Sequence, residues 1–438
     1  MSGTKCSPEK GQISDVRKKK RVLVFPCGSE LGLDIWNCVR YSTYFSLIGM
    51  SSCDDHGRFV YDEYIGDAPF LDDEGFADYL KKVVSEKEID AIYPATDMAI
   101  LKIKELEREL GCKVVSSPLE TVRICTSKSL TYTSLAGIVK TPKIYEAYAI
   151  DSYPVFVKPD VGHSSIGARL IEDAGQLENA ITTDDELLIL ENLPGEEYTI
   201  DCFTDDEGKL LFCRARGRNR ISNGISVNTS YIEAGDLTEF ASAINGALRF
   251  KGAWFAQVKR DSAGTLCLME IASRFGGSSH LSMALGVNLP LLSLFCEFGY
   301  KVRIECNDIV PEMDRVLDSV FKSNIKYDKV YVDYDDCLIL DKEFVNHELV
   351  GFLYKCRNEK KRLVLLSKHD GDLIGELKEF RLDGLFDEIL HLNREDEKYK
   401  YIEDKNSILI DDSFAERENV REKTGICVFG PEMIMTLL

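Results

Sequence analysis

Two acidic pairs stand at the ends of apolar runs in the last quarter of the chain. KVYVDYDD presents Asp333 and Asp335, and SILIDD ends on Asp411 and Asp412. Between them RLVLLS ends on Ser367, and Lys398 and Lys400 precede the second pair. One acidic turn after a strand is commonplace. Two, with a serine-ended strand between them, bring carboxylates together that repel one another strongly unless a cation intervenes. Magnesium, which takes hard oxygen donors, is the cation this predicts.

A second group lies upstream. Lys158 ends the run PVFVK and is followed at once by the small-residue loop Gly162-His163-Ser164-Ser165-Ile166-Gly167. An ammonium at the end of a buried strand can neutralise phosphate oxygens, and the loop's N–H groups can fold over them. Alone, such a loop reads as a plain hairpin; its place after Lys158 favours the phosphate reading. Glu197, in LENLPGEE, can accept from two hydroxyls, or it is a solvated acidic turn. Arg214, Arg216, Arg218 and Arg220 alternate in CRARGRNR. In a strand they would share a face and line one wall for an anion, or form a solvated edge.

These residues must be held by elements, and the elements alternate. Short apolar runs of strand character exchange with helical patterns along almost the whole chain, which predicts an α/β protein. Residues 1–20 read as a disordered tail. Residues 21–115 read as a small doubly wound parallel sheet, opening on RVLVF and the loop PCGSELG, which is either a phosphate site or a tight βα turn. Residues 116–310 contain the Lys158 loop and the hairpin WFAQVKRD–TLCLMEI across Ser262-Ala263-Gly264. Residues 311–327 read as a helix or connector. A fresh βαβ series at 328–438 predicts a separate domain.

Composition narrows the partners. The chain has 438 residues, 44% hydrophobic and 29% charged, an ordinary globular balance. A formal net charge of -20 repels nucleic-acid phosphates and anionic lipid, so neither is expected as a partner. The longest apolar runs, such as Leu289–Phe295, fall well short of the roughly 18 residues that span a bilayer. The first residues are polar and lack an apolar signal core, which predicts a cytoplasmic protein. The 14 cysteines are scattered without a Cys-x-x-Cys pair and read as reduced thiols, several of them buried. The basic run Arg17–Arg21 reads as a solvated lead-in to the first strand, with a targeting signal or an anion patch as the other reading.

The order of these features resembles the ATP-grasp superfamily over residues 21–310, nearest its carbamoyl phosphate synthase-like branch. The resemblance implies a Rossmann-like pre-ATP-grasp domain followed by the two-lobed ATP-grasp fold. It makes Lys128, in Ser127-Lys128, and Lys158 the nucleotide-contacting lysines. Gly162, Ser164, Ser165 and Gly167 become the phosphate loop; Glu191, Asn192 and Leu193 the hinge that hydrogen-bonds adenine; and Glu197 the grip on the ribose. Gln257 and Glu270 stand where magnesium ligands stand, and Arg274 where an arginine contacts the transferring phosphoryl group. Glu270-Ile271-Ala272-Ser273-Arg274 departs from the usual Glu-x-Asn-x-Arg, so a metal ligand is missing at Ala272. The implied chemistry is ATP-dependent activation of a carboxylate as an acyl phosphate, then displacement by an amine or similar nucleophile. The four arginines are candidates for the substrate.

Residues 328–438 resemble the haloacid dehalogenase superfamily. That resemblance implies Asp333 as nucleophile, Asp335 as acid and base, Ser367 as the phosphoryl-holding hydroxyl and Lys398 as the charge-neutralising lysine, with Lys400 its competitor. Asp333, Asp335, Asp411 and Asp412 become the magnesium site. The intervals Asp335–Ser367 and Ser367–Lys398 are too short for a cap domain, so a capless Rossmannoid domain acting on a phosphorylated substrate is expected, open or covered in a homodimer. Asp336-Cys337, where the superfamily often has Gly-Thr, is a departure. Together the two resemblances imply a bifunctional ligase and phosphatase using ATP and magnesium. The alternatives are a nucleotide-binding regulatory module without turnover attached to an active phosphatase, and a kinase whose product the second module hydrolyses.

Overall fold

A computed structural model describes residues 18–162, 166–183, 187–222, 225–316, 318–321 and 323–437. It divides into two compact units, residues 1–317 and 318–438. The expected tail lies, up to residue 17, outside the described residues, as does Arg17 of the basic run; Lys20 already begins a strand.

The first unit opens with a five-stranded sheet of β1 (Lys20–Phe25), β2 (Phe45–Met50), β3 (Tyr64–Ile65), β4 (Ala91–Pro94) and β5 (Lys113–Val114). Its order is β3-β2-β1-β4-β5, and every pair is parallel. Val22, Leu23 and Val24 are fully buried, alternately into clusters on the two faces, which is why the run is apolar without alternation. Helices follow where caps allow. Ser29 Oγ accepts from Gly32 N (3.1 Å) at the start of Glu30–Val39, and Thr96 Oγ1 accepts from Ala99 N (3.4 Å) at the start of Asp97–Leu110. The loop PCGSELG proves a sealed turn. A Cβ on Gly28 would lie 2.0 Å from the Asp55 carboxyl carbon, so only glycine fits, and the acid on its backbone would repel a phosphate.

A four-stranded antiparallel sheet comes next, β6 (Ile144–Tyr145), β7 (Val155–Pro159), β8 (Arg169–Ile171) and β9 (Leu187–Glu191), in the order β6-β9-β7-β8. The larger sheet contains β10 (Glu197–Thr204), β11 (Leu210–Gly217), β12 (Arg220–Ser222), β13 (Ile225–Ile232), β14 (Gly252–Arg260), β15 (Leu266–Ala272) and β16 (Glu312–Asp314). Its order is β12-β13-β11-β10-β14-β15, with β16 on β13. The expected connector 311–327 is therefore partly sheet, because Glu312, Met313 and Asp314 pair with Ser230, Thr229 and Asn228. Helix Gly235–Ala247 packs Leu237, Ala241 and Ile244 against the back of this sheet, beside Trp254 and Ile200.

The second unit holds a parallel sheet of β17 (Lys329–Val332), β20 (Arg362–Ser367), β21 (Glu388–His391), β22 (Ser407–Ile410) and β23 (Cys427–Phe429), in the order β21-β20-β17-β22-β23. A hairpin, β18 (Ile339–Leu340) and β19 (Phe344–Val345), precedes helix His347–Asn358. The sequence pattern began that helix at Phe344. Asn346 instead caps it, accepting from Leu349 N (3.2 Å), and the residues before it form the hairpin. Between Ser367 and Lys398 the described elements are helix Leu373–Glu379 and β21, so no cap domain interrupts the unit among the described residues.

Candidate functional site

The first unit contains a cavity of about 650 Å³ lined from all three of its sheets. Lys128, in the first turn of helix Lys128–Ser134, and Lys158, near the end of β7, are both 8% exposed and both line it. Lys128 Nζ donates to the carbonyls of Asp160 (3.1 Å) and Gly162 (3.3 Å), and Lys158 Nζ to that of Met269 (2.9 Å). Asp160 fixes the geometry, its carboxylate accepting from Ser127 Oγ (2.7 Å) and Ser129 N (2.7 Å). Burial, with Lys128 nearby, pulls the Lys158 ammonium down to about 8 despite Glu270. A desolvated ammonium of this kind gains when an anion arrives. Gly162 lines the cavity and Gly167 has φ 76°, but Ser164 and Ser165 lie outside the described residues.

Glu191, Asn192 and Leu193 line the same cavity where β9 ends. Glu191 N donates to Lys143 O (2.9 Å) and Lys143 N to Glu191 Oε2 (3.3 Å), which holds the segment extended. Glu197 is not free to grip a ribose as expected, because its Oε1 lies 2.8 Å from Arg218 Nε. Gln257 and Glu270 face each other across β14 and β15. With its amide turned to satisfy both neighbours, Gln257 donates to Glu270 Oε1 (3.1 Å) and accepts from Arg218 Nη1 (2.9 Å). Arg218 thus occupies the oxygen expected for metal, and Glu270 is left as the carboxylate donor. Arg274 is held by Asp97, Nε to Oδ1 at 2.8 Å and Nη2 to Oδ2 at 2.7 Å. Asp97 begins helix Asp97–Leu110, where an acid ordinarily serves the helix dipole, so nothing in the sequence marked it.

The expected wall of four arginines is a wall of two. Arg216 and Arg218 line the cavity. Arg216 is 3% exposed and is locked by Asp201 (Nε to Oδ2, 2.8 Å; Nη2 to Oδ1, 3.5 Å), which also accepts from Ser279 Oγ (2.6 Å). Arg214 lies on the same strand two residues earlier, where it is exposed and bonds only Cys213 O (3.3 Å) among the described contacts. Arg220 has crossed to β12, where its Nη2 meets both oxygens of Asp314 at 2.7 and 2.6 Å. The alternation ends with β11 at Gly217, which is why the period did not carry through.

In the second unit, Asp333 follows β17 and Asp411 follows β22, two adjacent strands. Lys398 Nζ lies 2.8 Å from Asp333 Oδ1 and 2.6 Å from Asp411 Oδ2 and is 2% exposed. Lys400 makes no such contact among the described residues, so Lys398 is the lysine of this site. Oxygens of Asp333, Asp411 and Asp412 lie within 4.8 Å of one another, a donor set that suits a hard cation. Burial lifts the Asp411 carboxyl to about 6 against the pull of Lys398, with Asp333 adding to the rise. Ser367, 1% exposed at the end of β20, has an Oγ with no hydrogen-bond partner among the described residues. Asp335 stands outside the cation cluster. His369 Nδ1 is 2.9 Å from both of its oxygens, His369 Nε2 is 3.0 Å from Glu376 Oε1, and Tyr334 OH donates to Glu376 Oε2 (2.9 Å). Burial opposes charge on the His369 ring, but the bonds to Asp335 and Glu376 outweigh it and raise the pKa. His369 was missed in the sequence; its place two residues after Ser367 was the available signal.

A model described as "ATP-grasp in the biosynthetic pathway with Ter operon" matches residues 183–312. Two solved structures match about two-thirds of the chain. The biotin carboxylase domain of a 2-oxoglutarate carboxylase from Hydrogenobacter thermophilus, in complex with MgADP, shares 16% identity at a TM-score of 0.57, covering 66% of this chain and 72% of that one. An L-amino acid ligase from Bacillus licheniformis shares 18% at 0.53, covering 64% and 73%. The first unit has the ATP-grasp fold. A D-alanine–D-alanine ligase from Thermotoga maritima is 28% identical over 149 residues, which are 30% of this chain and 47% of the ligase, so the chain spans about half the length of that relative.

Proposed function

We infer that the ATP-grasp unit is an ATP-dependent carboxylate–amine ligase. The observation that carries this is the convergence of Lys128, Lys158 and Glu270 on one cavity whose rim holds the 191–193 segment. The lysines would hold the nucleotide phosphates, Glu270 would hold magnesium, and Asn192 and Leu193 would bound the base. Magnesium bound here supplies positive charge to the phosphates. ATP's terminal phosphoryl group passes to a substrate carboxylate oxygen with release of ADP. An amine then forms the carbon–nitrogen bond as phosphate leaves. Arg274 would stabilise phosphoryl charge once it exchanges Asp97 for substrate. The ligase names of the Thermotoga and Bacillus proteins support this reading. The test is ADP release by purified protein against pools of carboxylates and amines; no stimulation by any pair would overturn it.

For residues 328–438 we infer a magnesium-dependent phosphohydrolase of haloacid dehalogenase type. Lys398 bridging Asp333 and Asp411 beside an unpartnered buried Ser367 hydroxyl supports it. A carboxylate oxygen of Asp333 would attack phosphorus while Asp335 protonates the leaving ester oxygen. Water, losing a proton to Asp335, would then attack the aspartyl phosphate, releasing inorganic phosphate and restoring Asp333. Ser367 would donate to a phosphoryl oxygen, and Asp333, Asp411 and Asp412 would hold the metal. Hydrolysis of a simple phosphate ester that requires magnesium and Asp333 tests this.

One observation favours the second reading, nucleotide binding without ligation. Ala272 offers no metal ligand, and Glu197 and Arg274 are already engaged by Arg218 and Asp97. ADP binding without carboxylate-stimulated turnover would select it. The free buried thiols Cys202 and Cys267 fit the cytoplasmic setting proposed for the chain. No single described helix is long and apolar enough to cross a membrane.

A further inference from the structure

Antiparallel pairing places Tyr231, Arg216, Thr199, Gln257 and Glu270 in one row across the adjacent strands β13, β11, β10, β14 and β15. Residues directly paired in this way share a face of the sheet. At one end the row carries Gln257 and Glu270, discussed above. At the other it carries three buried polar atoms that have no hydrogen-bond partner among the described residues: Thr199 Oγ1, Arg216 Nη1 and Tyr231 OH. Thr199 is 0% exposed and Arg216 3%.

A core tolerates few such atoms, because each unmade bond costs about 1–3 kcal/mol. Three in neighbouring positions of one row are therefore an arrangement kept for something other than stability. The Arg216 guanidinium is immobilised by Asp201 through Nε and Nη2, which leaves Nη1 as its uncommitted donor. Arg216 lines the cavity together with Gly276, Gly277 and Ser278. A Cβ on Gly276 would come within 3.3 Å of Arg216 Nη2, so the loop crosses the guanidinium closely only because that position is glycine. The row offers one guanidinium N–H and two hydroxyls able to donate, and the guanidinium's positive charge selects an anion.

We propose that Thr199, Arg216 and Tyr231 form a subsite for a second anionic group of the substrate, a carboxylate or a phosphate, distinct from the carboxylate that is activated. The proposal deepens the ligase reading and rests on it for the position of the reacting end. Three strand spacings, about 14 Å between α-carbons, separate Arg216 from Glu270. A small monocarboxylate cannot span them, so the substrate is a longer molecule with anionic groups at both ends.

The test uses the full chain saturated with magnesium–ADP, so that the lysines are occupied, and the double variant Thr199→Val, Tyr231→Phe. Both changes keep side-chain shape and remove only the unpartnered hydroxyls, whereas truncating Arg216 would strand Asp201. Glutarate and inorganic phosphate are the carboxylate and phosphate probes, read by the concentration that half-saturates the rise in Tm. The probe-free variant is expected to melt at the wild-type temperature or above it, with half-saturation raised by about fivefold or more for the preferred probe. Unchanged half-saturation with both probes, a lower Tm without probe, or no saturable shift in the wild type overturns the subsite. ADP release against mono- and dicarboxylates separates the two readings. Loss of probe binding in the variant, in a wild type that no carboxylate stimulates, keeps the subsite and removes the ligase. Equal turnover of a monocarboxylate by both proteins, with unchanged probe binding, does the reverse.

Discussion

Lys158 and Lys398 are both buried lysines in sites suited to phosphate, and their surroundings treat them oppositely. Lys398 lies between two carboxylates, Asp333 and Asp411, and its charge is stabilised so that its pKa rises even though burial opposes it. Lys158 has no carboxylate in contact among the described residues, only the Met269 carbonyl, and burial with Lys128 lowers it to about 8. One site is electrostatically complete before a phosphoryl group arrives. The other is short of negative charge at its lysines, while its arginines are already spent on Asp97, Asp201 and Glu197. A complete site suits repeated chemistry on one small group. An unfinished one suits a ligand that brings several charges and rearranges the pairs as it enters.

The contrast breaks most sharply at the nucleophile. Asp333→Asn keeps the size of the side chain and removes the carboxylate, and it should lower magnesium-dependent hydrolysis of a simple phosphate ester by about a thousandfold or more. Steady-state release of inorganic phosphate measures it, and turnover near the wild-type rate would exclude an aspartyl phosphate. ATP-dependent chemistry at the other cavity should continue in the same variant.

At the unfinished site the loss should be smaller and pH-dependent. Lys158→Ala should weaken ADP binding about tenfold to a hundredfold, the worth of one or two charge-assisted hydrogen bonds. In the wild type, a free-state pKa of about 8 means that the ammonium is charged at pH 7 and progressively neutral above pH 8. Bound phosphate favours the charged form, so affinity should fall as pH rises through 8, by at most about tenfold per pH unit. Lys158→Arg should flatten that profile. Calorimetry at pH 7 and pH 9 showing equal affinity would place the phosphates elsewhere.

How legible each site was follows from what held its residues. Asp333, Ser367 and Asp411 sit at strand ends, and strands announce themselves as apolar runs; their convergence follows from a parallel sheet that brings those ends to one edge. Lys158 and Glu270 were legible for the same reason. The pairs that tune the first cavity were not. Arg274 meets Asp97 across 177 residues, Arg216 meets Asp201 on the next strand, and the end of β11 at Gly217 splits four alternating arginines into two groups. Such pairings depend on register and on packing between sheets, which one sequence does not display. The β18–β19 hairpin was hidden because Phe344 fits a helical pattern as well as it fits a strand.

His369 offers a finer way to probe the complete site. If it orients Asp335 as the proton donor, His369→Ala should lower hydrolysis of an alkyl phosphate about tenfold, part of what a well-placed general acid supplies. It should lower hydrolysis of 4-nitrophenyl phosphate much less, because that leaving group departs without a proton. His369→Asn, whose amide can stand in for Nδ1, should recover part of the alkyl-ester rate. Equal losses on both esters would make His369 a packing residue only.

The smallest effect concerns how the complete site is balanced without its metal. Asp411 is 0% exposed, and its carboxyl titrates near 6, above the unfolded value of about 3.9. A carboxyl raised in the folded state contributes stability that is full below the unfolded pKa and is lost as pH rises through 6. The metal-free protein should therefore lose some stability between pH 5 and pH 7 as Asp411 ionises beside Asp333. Magnesium binds the ionised carboxylates, so the rise in Tm that it produces should be slight at pH 5 and reach a few degrees at pH 7. Asp411→Asn removes the titrating group. It should leave a magnesium response that is smaller at pH 7 and nearly level across the same range. A magnesium response in the wild type that is already complete at pH 5 would mean that Lys398, not the cation, is what balances Asp411, and the metal would then have to sit on Asp333 and Asp412 alone.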